Sequence, residues 1–382
     1  MQYQYPCTGN IGIEGFDHFL NQNIQEPRRN INLFSAELKA AYSVPYLSLV
    51  NSGSSANLAA ALALAEKLKR KGKNLVAAVS AFTFPTTMSA LILAGFSIRI
   101  IDTAQDGFVL DPDELEKQIK DVSLIVPTHF LGFPADMKQI RAIADQYDCL
   151  ILQDACETLH LTETETEIPF FAYGDMTTWS FYHPHHLSAY GGGAVITLNQ
   201  EDAAIVDSVI HWGRKCKCHI SPALCTVEAG AAHQFTYEKI GLNVEISELN
   251  ACFGRWQFQT FEQQESIRKQ HYAVLYDNLK ELDRIRVYQH PKIGGSLFVF
   301  PIRMQDGMYV NEVYHALKEK GIEIRTLMGG VSNEQEAFSF VSDQIYPNAH
   351  EMAEHTFFVG IHQTLTDSQI REMAEILRNF FS

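Results

Sequence analysis

The stretch WSFYHPHHLSAYGGGAVIT, residues 179–197, joins two short apolar runs through a loop that contains His183, His185 and His186. Three glycines follow these histidines and allow the backbone to turn into the second run. No lysine occurs from residue 139 to residue 214. Histidine exchanges protons near neutral pH. This loop, which joins two apolar runs, is therefore a candidate site of acid–base chemistry.

Apolar runs rich in valine, isoleucine and leucine predict buried strands along the first two thirds of the chain. They cover residues 74–80, 96–102, 123–130, 149–155 and 193–198. Helical patterns separate them, among them SSANLAAALALAEKLKRK, which starts at serines and ends in a basic turn. This alternation predicts an α/β fold with a large, mainly parallel sheet.

The pattern changes after about residue 260. The runs RIRVYQ, SLFVFPIRM and IEIRT predict strands, and NEVYHALKEKG and TDSQIREMAEILRNFF predict helices. We therefore expect a large domain over residues 1–262 and a smaller α+β domain over residues 263–382.

Composition narrows the class of protein. The chain has 382 residues and a formal charge of −15, which argues against a nucleic-acid partner. No apolar run reaches membrane-spanning length, and the start MQYQYPCTGN lacks the pattern of a signal peptide. We expect a cytoplasmic protein without a membrane partner, and its seven cysteines are then thiols, metal ligands or core residues rather than disulfides.

A candidate phosphate site lies at the start of the predicted helix SSANLAAALALAEKLKRK. Ligands of open α/β sheets bind beyond the carboxyl ends of the strands. In NSGSSAN, residues 51–57, Gly53 permits close backbone approach, and Ser54 and Ser55 offer amides and hydroxyls at a helix N-terminus. The alternative is an ordinary helix capped by serine.

Three more residues stand where predicted strands end. Phe84 offers a flat apolar face, although core packing is its alternative role. Asp154 ends an apolar run, and a carboxylate buried there requires a cation or donors, such as a protonated pyridine nitrogen. A helix cap or a surface position is the alternative for Asp154. Ser180 places a hydroxyl at the end of MTTWS.

These motifs, in this order, resemble the DegT/DnrJ/EryC1/StrS sugar aminotransferases, which have the fold type I of pyridoxal phosphate (PLP) enzymes. The resemblance covers nearly the whole chain and includes TFPTT, LGFPADM, DACET, HWGR and IGLNVEISELNACFG. It implies PLP or pyridoxamine phosphate (PMP) as the cofactor. It also implies that Asn243 reaches the cofactor phosphate of a neighbouring subunit in a homodimer.

His185 stands where that family has the lysine that binds PLP covalently. Imidazole cannot replace lysine in that bond, so the cofactor would be held as PMP, and His185 would transfer protons. This exchange is typical of a 3-dehydratase subfamily that acts on nucleotide-linked 4-keto-6-deoxyhexoses. His186 and Arg325 are the candidate substrate contacts, with a structural role and a surface ion pair as their respective alternatives.

Cys156, Cys216, Cys218 and Cys225 have the spacing of a metal site, and zinc and an iron–sulfur cluster both fit four thiolates. One branch of the subfamily, acting on a CDP-linked sugar, carries a [2Fe–2S] cluster on similarly placed cysteines. The resemblance therefore favours [2Fe–2S] and an electron-donating reductase as partner. His219 is an alternative ligand, and incidental thiols are the alternative to any metal.

The resemblance thus implies a PMP-dependent dehydratase that removes the C3 hydroxyl of a nucleotide-linked sugar. The alternatives are a cluster-free hydrolytic 3-dehydratase, an aminotransferase that uses a displaced lysine, and a non-catalytic protein of the same fold. Two departures from the family pattern are Gly191 in place of a glutamate and Glu245 in place of a basic residue.

Overall fold

The structure is a computed structural model that describes the chain except residues 1–2, 10, 25, 164–166, 219–222, 224 and 306. His219 therefore lies outside the described residues. In the described part, no helix is long and apolar enough to cross a membrane.

The large sheet has seven strands in the order β1-β8-β7-β5-β4-β2-β3. Its strands are β1 Tyr46–Val50, β2 Val76–Ser80, β3 Ser97–Ile101, β4 Leu124–Val126, β5 Leu150–Asp154, β7 Met176–Ser180 and β8 Gly193–Thr197. Only β8 runs antiparallel to its neighbours, which are β1 and β7. The predicted α/β fold with a mainly parallel sheet is confirmed.

Buried apolar side chains explain these strands. Strands β4, β5, β7 and β8 are buried along their whole length, as expected for a sheet covered on both faces. The sequence did not predict β1, whose run YLSLV is interrupted by a serine and is only half-buried at its start. It also extended β4 too far, because the chain turns into a short 3₁₀ helix over Phe130–Gly132.

The helices of the first two thirds flank this sheet. They are α1 Phe16–Asn23, α2 Arg29–Tyr42, α3 Gly53–Arg70, α4 Pro85–Leu93, α5 Pro112–Lys117, α6 Met137–Gln146, α7 Gln200–Ile210 and α8 Glu248–Phe258. Helix α3 packs against β7 and β8 with a face made largely of buried alanines. Such small side chains let a helix approach a sheet closely, and this brings the N-terminus of α3 beside the strand ends.

A second, antiparallel sheet has four strands in the order β12-β13-β11-β9. They are β9 Ile285–Val287, β11 Phe300–Met304, β12 Arg325–Thr326 and β13 Thr356–Val359, and a separate pair joins β6 Thr162–Glu163 to β10 Ile293–Gly294. The accompanying helices are α9 Phe261–Leu279, α10 Val310–Glu319, α11 Pro347–His355 and α12 Asp367–Phe381.

This sheet has its own apolar core, which includes Tyr272, Phe300, Phe357 and Leu377. Tyr5, near the start of the chain, packs into that core and forms an isolated bridge with Ile322. The domain boundary at residue 262 remains a prediction.

Candidate active site

A cavity of about 810 Å³ lies at the carboxyl ends of β5 and β7. Residues of the four-stranded sheet close its other side, including Thr326 and Phe358. The lining includes most residues that the sequence singles out, namely Gly53, Ser54, Phe84, Asp154, Cys156, Ser180, His185 and Arg325. The structure therefore brings together side chains from positions more than 250 residues apart.

The N-terminus of α3 forms one wall of the cavity. The side chain of Ser52 caps the helix by accepting a hydrogen bond from the amide of Ser55 at 3.0 Å. Gly53 is required for packing, because a Cβ at this position would lie 2.7 Å from Ser180 Cβ and 2.9 Å from Cys156 Sγ. The backbone amides at this helix end, with the Ser54 hydroxyl beside them, suit a phosphate group.

The two predicted phosphate serines have different surroundings. Ser54 lines the cavity, and its hydroxyl donates to Thr86 Oγ1 at 2.9 Å. The Ser55 hydroxyl instead donates to Asn51 Oδ1 at 2.6 Å, and Ser55 is not among the described residues that line the cavity. Of the two predicted serines, Ser54 is therefore the one that lines the cavity where an anion would bind.

Asp154 is a buried carboxylate, 3% exposed, at the end of β5. Its Oδ2 accepts hydrogen bonds from Asn57 Nδ2 at 3.0 Å and from Thr87 Oγ1 at 2.5 Å. Its Oδ1 accepts from the amide of Cys156 at 3.1 Å. In the described part of the chain no lysine, arginine or histidine forms an ion pair with it. A buried carboxylate held only by neutral donors at a cavity wall can pair with a cationic ring nitrogen of a ligand.

Phe84 and Ser180 complete the surroundings of Asp154. Phe84 is half-exposed, lies directly before α4 and presents its ring to the cavity. Ser180 ends β7, and its Oγ accepts a hydrogen bond from the amide of Tyr182 at 3.3 Å. An anion site, an aromatic face and a buried carboxylate together fit a phosphorylated pyridine such as PMP or PLP.

His185 lines the cavity in the loop between β7 and β8. Its Nδ1 lies 3.4 Å from the carbonyl oxygen of Ser180, and its ring packs edge-on against Phe298 with centroids 5.3 Å apart. Burial, assisted by the nearby charge of Arg268, lowers the pKa of His185 to about 4. The imidazole is therefore neutral at pH 7, and with Nδ1–H donating to Ser180 its Nε2 is free to accept a proton.

The two neighbouring histidines, His183 and His186, contact other protein groups and are not described lining residues of the cavity. His186 is buried outside the set of described residues that line the cavity, and its Nε2 lies 2.9 Å from the Ser296 carbonyl oxygen. His183 stacks on Tyr190 with ring centroids 5.4 Å apart. The predicted substrate contact by His186 is therefore not seen, because its ring points into the protein. No lysine is found among the described lining residues.

Glu157 is a cavity residue that the sequence did not indicate. It is 8% exposed, and its Oε2 accepts a hydrogen bond from the amide of Leu131 at 2.5 Å. Burial raises the pKa of Glu157 to about 8, so this carboxyl group is largely protonated at neutral pH. Its place three residues after Asp154, directly after β5, was the available signal.

Arg325 lies on the opposite side of the cavity, in β12. It is exposed, and its Nη2 and Nε donate to Glu323 Oε1 at 2.9 and 3.0 Å. An exposed ion pair of this kind is weak and exchanges readily for another partner. Arg325 therefore remains a candidate for binding the anionic part of a substrate.

Asn243 and Glu245 lie in a segment that follows the large loop after α7. Asn243 forms an isolated bridge with His211 and is not a described lining residue, so its predicted role across a subunit interface remains a prediction. Glu245 accepts two hydrogen bonds from Arg28, both at 2.6 Å, and lies 3.1 Å from His211. The acidic residue at this position thus has partners within its own chain.

Three of the four predicted metal ligands lie together, and the four-cysteine site remains a prediction. Cys216, Cys218 and Cys225 converge, but the fourth member of their group is His233. Cys156 belongs to the cavity instead, and its Sγ lies 4.0 Å from Thr178 Oγ1. Cys156 is the second residue after β5, and its Sγ lies close to Gly53 at the N-terminus of α3.

The chain matches a known protein family over most of its length. The model of the DegT/DnrJ/EryC1/StrS aminotransferase family matches residues 12–378. The chain belongs to this family. The predicted family and fold type are confirmed, and membership indicates a PLP or PMP cofactor, which the cavity fits.

Two curated members of the family match most of the chain. The lipopolysaccharide biosynthesis protein RfbH of Salmonella typhimurium is 28% identical over 371 residues, covering 91% of this chain and 84% of the relative. The dTDP-4-dehydro-2,6-dideoxy-D-glucose 3-dehydratase of Saccharopolyspora spinosa is 28% identical over 373 residues, covering 92% of this chain and 80% of the relative.

Among solved structures, the E. coli GDP-4-keto-6-deoxy-D-mannose-3-dehydratase with bound hydrated PLP superposes with a TM-score of 0.88. The match covers all of both chains at 21% sequence identity. It confirms the fold.

Proposed function

We propose that this protein is a PMP-dependent 3-dehydratase that removes the C3 hydroxyl of a nucleotide-linked 4-keto-6-deoxyhexose. The observation that carries the proposal is His185, a neutral imidazole at the cavity wall close to Asp154 and Ser180, where the family has its lysine. The names of the matched 3-dehydratases of S. spinosa and E. coli support the same reaction class.

The cavity residues divide into those that would hold the cofactor and those that would act on protons. The amides at the start of α3 and the Ser54 hydroxyl bind the phosphate, Phe84 packs on the ring, and Asp154 keeps the ring nitrogen protonated. When bound, PMP supplies an amine for the sugar's 4-ketone and a protonated ring that accepts electrons.

His185 acts as the base and then as the acid. Its neutral Nε2 accepts a proton, and the resulting imidazolium can give that proton to the departing C3 hydroxyl, which leaves as water. A histidine kept neutral by burial suits the first step, because it enters the reaction with its acceptor nitrogen unprotonated. Arg325 binds the anionic nucleotide carrier at the edge of the cavity.

A [2Fe–2S] cluster is not part of this proposal. The predicted ligand Cys156 is a cavity residue, and the remaining three cysteines share their group with His233. The cluster-free, hydrolytic 3-dehydratase is therefore preferred, and it needs no reductase partner. Its products are the 3-deoxy-4-keto sugar, ammonia and the aldehyde form of the cofactor, PLP, which an amino donor must convert back to PMP.

We also propose a homodimer, because Asn243 occupies the family position that reaches a neighbouring subunit's cofactor. Light scattering of the protein bound to PMP is expected to give twice the mass of one chain. A monomer that binds PMP with full affinity would contradict this assembly.

Product identification tests the proposed reaction. The protein is incubated with PMP, L-glutamate as amino donor, and 4-keto-6-deoxyhexoses linked to GDP, CDP or dTDP. With at least one of them, NMR is expected to show a new methylene at C3 and a retained 4-ketone. A 4-amino product that keeps its C3 hydroxyl would establish an aminotransferase, and no product from any of them would favour a non-catalytic protein.

A further inference from the structure

A buried arginine lies next to the loop between β7 and β8, outside the cavity. Arg268 belongs to α9 and is 2% exposed, and it is not among the described residues that line the cavity. Burial lowers the pKa of Arg268 to about 10, so its guanidinium still carries a positive charge at neutral pH. A buried cation is costly unless other groups compensate it, so its surroundings indicate what it does.

The compensation of Arg268 is incomplete. Its Nη1 donates one long hydrogen bond of 3.5 Å to the Phe298 carbonyl oxygen, and its Nε has no partner among the described residues. In the described part of the chain no carboxylate forms an ion pair with it. Glu265, one turn earlier on α9, has other partners, because its Oε1 accepts from the Ser296 amide at 3.1 Å and its Oε2 lies 3.7 Å from His160 Nε2. The charge of Arg268 therefore acts on the groups around it.

Phe298 connects Arg268 to the histidines of the loop. The Phe298 carbonyl oxygen accepts from Arg268, and the Phe298 ring packs edge-on against His185 with centroids 5.3 Å apart. The same ring lies 6.1 Å from that of His186, whose Nε2 lies 2.9 Å from the Ser296 carbonyl oxygen. Arg268 thus supports the backbone against which both imidazoles rest.

The charge of Arg268 acts in one direction on the imidazoles near it. Burial is the main cause of the low pKa values of His185, His186 and His362, and the positive charge of Arg268 lowers all three further. Like charges in the protein interior disfavour one another, so an imidazolium at these positions is destabilised.

The other titratable groups that line the cavity with His185 come from several elements. They are Cys7 near the start of the chain, Asp154, Cys156 and Glu157 at and after the end of β5, Tyr182 in the loop, Tyr314 on α10 and Arg325 in β12. Asp154 favours protonation of His185 through its negative charge. Glu157 is largely protonated, and Arg325 is exposed and paired with Glu323. Arg268 is thus the buried charge that opposes Asp154.

We propose that Arg268 is a positioning residue for His185, which supports the Phe298 backbone behind the imidazole and keeps that imidazole unprotonated through its buried positive charge. The proposal rests on the proposed role of His185 in proton transfer. A neutral imidazole can accept a proton at once, and an imidazolium beside a cation is a stronger acid toward the departing hydroxyl.

Nitrogen NMR of labelled histidine in the full chain with bound PMP tests the proposal, and His185→Asn assigns the His185 signals. Arg268→Met and Arg268→Gln both remove the charge. They are expected to raise the pKa of His185 by about one pH unit. At pH 5, roughly half of His185 would then be protonated, compared with roughly one tenth in the wild type.

Two matched variants control for the change of side chain and of net charge. Arg268→Lys keeps the positive charge without the guanidinium, and Lys269→Met removes an exposed charge from the next position of α9. Both are expected to give the wild-type titration of His185. Unchanged protonation of His185 in Arg268→Met and Arg268→Gln would overturn the proposal, as would an imidazolium at His185 in wild-type protein at pH 6.

The two neutral variants also guard against a failure to fold, because glutamine can still donate to the Phe298 carbonyl oxygen and methionine fills the space with apolar atoms. If both fail to fold while Arg268→Lys folds, the charge is required by the fold and the positioning role is overturned. The titration needs no sugar substrate, so a protein without dehydratase activity would refute the proposed function and leave this test intact.

The pH dependence of the single-turnover rate gives a second measurement. The rate at pH 5, relative to that at pH 7, is expected to be about one half in Arg268→Met and Arg268→Gln, and about nine tenths in wild-type protein and Arg268→Lys. Equal ratios in all four proteins would contradict the effect of the charge.

Discussion

Replacement of His185 by asparagine separates proton transfer from cofactor binding. Asparagine keeps a side-chain amide that can donate to the Ser180 carbonyl oxygen, but it has no basic nitrogen at neutral pH. Loss of a positioned acid–base group typically costs about 10²–10⁴ in rate, or about 3–5 kcal/mol of transition-state stabilisation. We expect a fall of that size in the single-turnover rate of 3-deoxy product formation.

The structural cost of the same substitution is small. The hydrogen bond to Ser180 is long, at 3.4 Å, and the substitution otherwise removes mainly the edge-on packing of the imidazole against Phe298. The free energy of unfolding should therefore fall by no more than about 1–2 kcal/mol. PMP affinity, measured by fluorescence titration, should stay within about twofold, because the α3 N-terminus and Asp154 are unchanged.

His183→Asn is the matched control, since it removes an imidazole from the same loop without altering a described cavity residue. Its rate should stay close to that of the wild type. If His185→Asn forms product at the wild-type rate, or if His183→Asn is equally impaired, the assignment of proton transfer to His185 is wrong.

Three further predictions address the same cavity. A base with a pKa of about 4 is almost fully neutral at pH 6, whereas a histidine with the ordinary pKa of about 6.5 would be only about one quarter neutral. The rate at pH 6 should therefore nearly equal that at pH 8, and an acid limb centred near pH 6.5 would contradict the burial argument. Asp154→Ala should weaken PMP binding about ten- to hundredfold in a fluorescence titration, because a hydrogen bond to a charged group is lost; unchanged affinity would place the ring nitrogen elsewhere. His185→Lys should bind PLP covalently, and borohydride reduction followed by intact-mass measurement should show the adduct; its absence would mean that residue 185 does not face the cofactor.

The strand-end residues of the site were predictable because they depend on local patterns. An apolar run that ends in Asp154 or Ser180 places that side chain at the carboxyl edge of a parallel sheet, and the structure shows both at one cavity. Ser54 and Ser55 were predicted at a helix start, but the sequence could not show that the Ser55 hydroxyl bonds to Asn51 instead of lining the cavity.

The metal group shows where sequence spacing is insufficient. Cys156 completes a four-cysteine count in the sequence, and in the structure its Sγ lies beside Gly53 at the cavity. His233 lies eight residues beyond Cys225 in a polar stretch without periodicity, so its convergence depends on how the whole segment closes. The orientation of His186 was equally unpredictable, because loop residues follow no periodic pattern.

The partners of Asp154 were also missed. Asn57 and Thr87 lie on α3 and α4, in helical stretches whose polar residues carry no sequence signal of their own. Their role follows from packing, since both helices cover the face of the sheet from which Asp154 projects.

A single turnover without reductant tests the central claim most directly. The protein is loaded with PMP, freed of excess cofactor and amino donor, and mixed with a nucleotide-linked 4-keto-6-deoxyhexose that it accepts. Hydrolytic dehydration predicts one 3-deoxy-4-keto product and one ammonia per bound PMP, with one oxygen atom lost from the sugar by mass spectrometry. A 4-amino sugar that retains its C3 hydroxyl, with no ammonia released, would contradict the account.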